Sequence, residues 1–159
     1  MPASTKLRKP SPRDRVRRGL MPLVAQLNRQ WRRVIDRRLQ PLGLTEAMWL
    51  PLLHLSRASR PMRQKDLAAS LSLDSSSVVR LLDGLEANRF VERVEGADRR
   101  AKEIHLTPSG VAAVRRVEDV VDQARGELLA HVPAGDLDAA FDVLERIARS
   151  LSVLEQEGP

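Results

Sequence analysis

The chain has no cysteine and no tyrosine, and its aromatic residues come to two tryptophans and two phenylalanines in 159 positions. Without cysteine there is no disulfide scaffold, no Cys-ligated zinc, no thiol nucleophile and no thiol-based redox sensing. With aromatics at 3%, carbohydrate sites, aromatic cages and base-stacking platforms lack the rings they depend on. Long apolar runs are missing as well. The longest near-apolar stretch, Met48–Leu53, contains Pro51 and falls far short of the roughly 18–20 residues a membrane span needs. A basic N-terminus is followed by no uninterrupted apolar segment of signal-peptide type. These features predict a cytosolic protein without membrane contact.

Catalytic signatures are equally scarce. His54, His105 and His131 are widely separated and show no metal-ligand spacing. No phosphate-binding glycine loop, nucleophile elbow or zinc-protease motif occurs. The expectation is a protein that is not an enzyme and carries no metal and no cofactor.

What is present is an ordinary globular balance, with 42% apolar and 30% charged residues. One domain is the natural size for such a chain. Its charge is unevenly spread. Residues 1–38 hold 12 basic and 2 acidic side chains, residues 39–110 hold 10 and 9, and residues 111–159 hold 5 and 10. The basic pole is mostly arginine, whose planar fork suits phosphate. A basic pole and an acidic pole imply an anionic partner met by one part of the molecule.

Residues 1–13, rich in Pro, Ser, Lys and Arg, read as a disordered basic arm. Over 14–44, Val16, Leu20, Leu23, Val24, Leu27, Trp31, Val34, Ile35 and Leu39 recur in steps of three and four, the face of one helix. Pro22 falls inside it and should kink or begin it. Thr45 is placed to cap a second helix, apolar nearly all round and distorted at Pro51. Ser56 to Pro61 is a polar, basic break. Two short helices follow within Gln64–Asn88. Leu67, Ala68 and Leu71 mark the inner face of one, and Val78, Leu81, Leu82 and Leu85 that of the other. Ser72 and Leu73 form the turn between them, with Asp74 as N-cap. Phe90–Glu95 and Lys102–Thr107 read as the strands of a hairpin with a charged tip. Thr107-Pro108 signals the start of another helix, and a last one carries an unbroken apolar seam from Leu137 to Leu154. Helix, turn, helix and hairpin make a winged helix-turn-helix lobe over 45–107. The helices on either side, over 14–44 and 108–155, would serve dimerisation, because their apolar faces are too exposed for a stable monomer. The fold class is mainly α with a small β-hairpin wing.

In such a lobe the small Ala68 permits the helix crossing, and Leu67, Leu71, Leu73, Val78 and Leu81 fix its angle. The outward face of the second helix is Ser75, Ser76, Ser77, Val79, Arg80, Asp83 and Gly84. Three serines at a helix N-terminus offer hydroxyls and free N–H groups to phosphate, and Arg80 stands one turn further in, within reach of a guanine edge. At the hairpin tip, Arg99, Arg100 and Lys102 are placed to reach a minor groove, with Asp98 orienting an arginine. Trp31, Met48, Trp49 and His54 form a candidate effector pocket between the lobes, with core packing as their ordinary alternative.

The stretch Asp98-Arg99-Arg100-Ala101-Lys102-Glu103-Ile104-His105-Leu106-Thr107-Pro108-Ser109-Gly110, with the helix-turn-helix from Leu67 before it, resembles the MarR family of bacterial transcription regulators. The family's wing pattern is an Asp-x-Arg followed by Leu-Thr-x-x-Gly, matched here by Asp98, Arg100, Leu106, Thr107 and Gly110. Leu42-Gly43-Leu44-Thr45 and Trp49 are similar to the family's join between its first two helices, and the likeness spans roughly residues 15–155. The resemblance implies a cytoplasmic homodimer whose modules each address one half of a near-palindromic double-stranded DNA operator. The recognition helix would enter the major groove, and Arg100, aimed by Asp98, the minor groove. It also implies repression, released by a small aromatic or anionic effector. Arg89 stands where relatives usually have glycine, so Asn88 is expected to supply the left-handed turn. The alternative from another class is a dimeric helical adaptor or architectural protein that binds nucleic acid nonspecifically through its basic arm.

Overall fold

The computed structural model describes residues 11–96 and 102–156. Six helices and three strands follow in the order α1 (Pro12–Leu39), α2 (Glu46–Arg57), β1 (Met62–Arg63), α3 (Gln64–Leu71), α4 (Ser75–Ala87), β2 (Val91–Glu95), β3 (Lys102–Leu106), α5 (Pro108–Leu129) and α6 (Ala134–Gln156). A short 3-10 turn, Gln40–Leu42, ends α1. The chain forms two compact units, one up to Val121 and one from Asp122 onward.

α1 begins earlier than its apolar periodicity suggests. Ser11 caps it in a reciprocal box, its hydroxyl accepting from the Asp14 N–H (3.2 Å) while Asp14 accepts from the Ser11 N–H (3.2 Å), and Pro12 occupies the first turn. The helix runs unbroken through Pro22. The proline leaves the Arg18 carbonyl without its N–H partner, but the surrounding turn is exposed and water can serve it. Pro51 is likewise accommodated within α2, where the orphaned carbonyl belongs to exposed Ala47. Neither proline ends its helix, and α1 does not begin at Pro22 but ten residues before it.

In the first unit the core is built from Ile35 and Leu39 of α1, Trp49, Leu52 and Leu53 of α2, Leu67 and Ala68 of α3, Val78, Leu82 and Leu85 of α4, Val91, Ile104, and Ala113, Val114 and Val117 of α5. Only the C-terminal half of α1 takes part. Its earlier turns leave Val16 and Leu27 more than half exposed. α2 is buried on several sides, as an all-round apolar helix should be. Thr45 occupies its N-cap position without a side-chain bond, and Glu46 reaches back instead to Arg32 of α1 at 3.4 Å.

The sheet has three strands, not two, in the order β1-β3-β2 and antiparallel throughout. Met62 pairs with Ile104 and Arg63 with Glu103 on one side of β3, while Val91 to Glu95 pair with Leu106 to Lys102 on the other. In the second unit no residue of α6 is buried, and Phe141, Leu144, Leu151 and Leu154 of the predicted seam stand open to solvent.

Candidate nucleic-acid interface

The turn between α3 and α4 depends on Ser72, which takes a left-handed backbone (φ +53°) usually left to glycine. Its N–H donates to the Ala69 carbonyl at 3.1 Å, and the Leu73 N–H to Ala68 at 3.0 Å, closing α3 tightly enough for α4 to start two residues later. Ala68 is buried, as a small residue at the crossing would be. Leu73, expected to help fix the angle, is 42% exposed instead, because the left-handed residue before it turns it outward.

Asp74 is the N-cap of α4 and takes more donors than a cap normally does. The backbone N–H groups of Ser76 and Ser77 donate to it at 2.9 Å each, and both hydroxyls donate to it as well, that of Ser77 at 2.7 Å. These bonds, first the Ser76 and Ser77 hydroxyls and then the backbone groups, hold the Asp74 carboxyl well below the usual carboxylate range. The N–H groups and hydroxyl protons expected to be free for phosphate at Ser76 and Ser77 are engaged by Asp74. What α4 turns outward is the exposed row Ser75, Ser76, Val79 and Arg80, with Ser77 half-buried behind it.

The other end of α4 is tied into the sheet. Arg89, not Asn88, adopts the left-handed backbone (φ +58°), while Asn88 stays at φ −84°. Asn88 is held back by its own bonds, its side-chain amide and its N–H both donating to the Gly84 carbonyl, at 2.8 and 3.2 Å. The chain can thus reverse only one residue later. The Thr107 hydroxyl then donates to the Arg89 carbonyl at 2.5 Å and accepts from the Gly110 N–H at 3.0 Å, so one side chain caps α5 and pins the exit of α4. A Cβ on Gly110 would lie 1.9 Å from the Phe90 carbonyl oxygen, which explains glycine at that position. Thr107 and Gly110 of the wing pattern thus act on packing. Arg93 of β2 bonds both Asp83 and Glu86 of α4, the latter at 2.7 Å, and these two carboxylates raise its pKa. Asp83, expected on the free outward face, is turned to this arginine.

Lys102 opens β3 and is exposed. Asp98, Arg99 and Arg100 lie outside the described residues. The candidate effector residues do not share one setting. Trp49 is buried at 2% exposure with its indole N–H on Asp36 of α1 at 3.4 Å, whereas Trp31, Met48 and His54 are half-buried. Partial burial, then the charges of Arg57 and Arg32, lower the pKa of His54 and favour its neutral form. A groove of about 450 Å³ along α1, lined by Val16, Gly19, Leu20, Pro22, Leu23 and Gln26, includes none of the four. Among the described residues no cluster of His, Asp and Glu is placed to hold a metal ion, and no helix is long and apolar enough to cross a membrane. The sequence reading missed Arg93 with its two carboxylates, and Asp36 with Trp49. The Asp83/Glu86 spacing of three was a signal for the first, but the packing of β2 against α4 that brings Arg93 to it could not be read from the sequence alone.

The fold has known counterparts. Residues 42–101 match the model of the MarR family. The transcriptional regulator PA3341 is 38% identical, with a TM-score of 0.77 over 84% of this chain and 98% of that one. CouR of Rhodococcus jostii RHA1, solved bound to p-coumaroyl-CoA, is 26% identical, with a TM-score of 0.66 over 79% and 88% of the two chains. MepR of S. aureus, solved in complex with DNA, shares the fold at 22% identity and a TM-score of 0.70 over 81% and 94%. With 38% identity across nearly the whole of one regulator, and the family model falling on the helix-turn-helix and the first wing strand, the chain belongs to the MarR family of DNA-binding, non-enzymatic winged helix-turn-helix transcriptional regulators.

Proposed function

We propose that the protein is a homodimeric repressor of a near-palindromic operator in the bacterial cytoplasm. In each half-site α4 lies in the major groove, and the hairpin tip, with Arg100 aimed by Asp98, lies in the adjacent minor groove. The observation that carries this reading is the shape of α4. Its inner residues Val78, Leu82 and Leu85 are fully buried, while Ser75, Ser76, Val79 and Arg80 form an exposed row, of which only Ser76 is engaged, by the cap Asp74. That row mixes a hydroxyl face, a branched apolar side chain and a guanidinium, the groups that meet base edges, thymine methyls and guanine. MepR, which shares this fold and was solved in complex with DNA, supports DNA as the partner. The exposed apolar residues of α1 and, separately, of α6 support dimerisation, since apolar helix faces of this kind are rarely left open. Release by a small aromatic or anionic ligand is supported by CouR, whose ligand p-coumaroyl-CoA is both.

The test is a salt-controlled binding assay with duplex from the region upstream of the protein's own gene and a scrambled duplex of equal length. Tighter binding to the first, by a particle of twice the chain mass, is the expected result. Equal affinity for both would favour a nonspecific architectural role. In the same assay Asp98→Ala weakens operator binding although it makes the protein more positive, because it removes the residue that aims Arg100. Tighter binding by that variant would reduce the wing to plain positive charge.

A further inference from the structure

Arg93 contributes to neither groove contact above, yet its placement ties the two together. In β2 it stands two residues from Val91, which is 3% exposed, so both side chains leave the strand on the face that packs toward α4. There it meets Asp83 and Glu86, three residues apart on one side of α4 and thus neighbours on the helix surface. A guanidinium can bond two carboxylates in fixed directions, which an ammonium cannot do with the same geometry. Along the ladder Arg93 pairs with Ile104, and the next two rungs, ending at Glu95 and Lys102, lead to the hairpin tip. Each rung adds about 3.4 Å, so a tilt of a few degrees at Arg93 grows toward the tip.

We propose that Arg93 is a positioning residue for DNA recognition: by bridging Asp83 and Glu86 it fixes the wing strand to the groove-reading helix at one angle, so that α4 and the hairpin tip enter neighbouring grooves in register. The inference rests on the DNA-binding mode proposed above. It also accounts for two carboxylates on a helix that faces a polyanion, since both are held by a cation of the same protomer.

The test uses the full-length protein and the same operator and scrambled duplexes, with Arg93→Gln, Arg93→Lys, and a triple variant Asp83→Asn/Glu86→Gln/Arg93→Gln that carries no charge at the three positions. Arg93→Gln should lower the ratio of operator to scrambled affinity by about tenfold, the size of one lost base contact. In the triple variant scrambled binding returns to the wild-type level or above, while the ratio stays low. Arg93→Lys falls between, and it carries the comparison if Arg93→Gln does not fold. Hydrogen exchange of residues 91–95 and 102–106 should quicken in Arg93→Gln and in the triple variant, with the amides of α2 and α3 unchanged. A triple variant with the wild-type ratio would overturn the proposal, leaving Arg93 as a mask for two negative charges. An unchanged ratio in Arg93→Gln would overturn it as well. If the wild-type protein itself shows no preference for the operator, the DNA-binding mode fails first and the role of Arg93 falls with it.

Discussion

The two ends of α4 are built in opposite ways. At the N-terminal end the bonds are all local, with Asp74 gathering the donors of Ser76 and Ser77 within three residues of itself. At the C-terminal end Arg89 reverses the chain, Thr107 reaches back to its carbonyl, Gly110 closes on Phe90 and Arg93 bridges two carboxylates. One end is anchored to two other segments, β2 and the start of α5, and the other is left free to meet a partner. Folding energy and recognition are thereby separated along a single helix of 13 residues. Changes at the back should cost stability, and changes at the front should cost binding.

The sharpest way to break this division is Gly110→Ala. The added methyl would have to lie 1.9 Å from a backbone oxygen that cannot move without undoing the α4 exit. Overpacking of this kind costs about 3 kcal/mol or more when backbone must yield, and urea denaturation should register it. Next comes Leu82→Ala in the middle of α4, where the side chain is fully buried. A loss of about 2–5 kcal/mol is expected, measured the same way. Arg80→Ala, on the exposed front, should leave the denaturation midpoint in place. It should weaken operator binding by about 1–3 kcal/mol per half-site if it reads a base. If Arg80 touches phosphate alone, the loss should be even across sequences and the salt slope should shrink.

The smallest of these effects belongs to Asp74→Asn. Asparagine can still cap, but it loses the charge and one acceptor atom that Asp74 offers to Ser77, so a small loss of stability is expected while a negative charge beside the proposed phosphate path disappears. Scrambled-duplex affinity should rise by roughly threefold. Because the Asp74 carboxyl is held well below the usual range, it is ionised at every pH used for DNA binding. The ratio of variant to wild-type affinity should therefore be flat between about pH 5 and 8. A stability loss equal to that of Leu82→Ala at either front position would collapse the distinction between the two ends.

Much of this arrangement was legible in the sequence because it is encoded locally. The periodicity of Val78, Leu82 and Leu85 gave the buried face of α4, Asp74 ahead of three serines gave its cap, and Thr107-Pro108 marked the start of α5. The family pattern placed the wing. Other features depend on contacts that no local pattern records. β1 is two residues long, too short for alternation to show, and exists because β3 offers it a partner. The start of α1 lies among arginines with no apolar rhythm, where only the Ser11/Asp14 spacing marks it. Asn88 was the better local candidate for the left-handed turn, since Asn tolerates it more readily than Arg, but its bonds to Gly84 moved the reversal to Arg89. The tie of Arg93 to Asp83 and Glu86 spans a turn whose direction only the folded chain determines.

The two left-handed residues, Ser72 and Arg89, mean that this chain holds stability in reserve. A side chain in that backbone region costs about 1–2 kcal/mol, while glycine costs about 0.5–1 kcal/mol through the extra freedom it gives the unfolded chain. The difference favours glycine by up to about 1.5 kcal/mol at each site. Ser72→Gly and Arg89→Gly should each raise the denaturation midpoint slightly, and together they would make a background that tolerates costlier substitutions along the outward row of α4. A protein meant to acquire a new operator preference would be better started from that background than from the natural sequence.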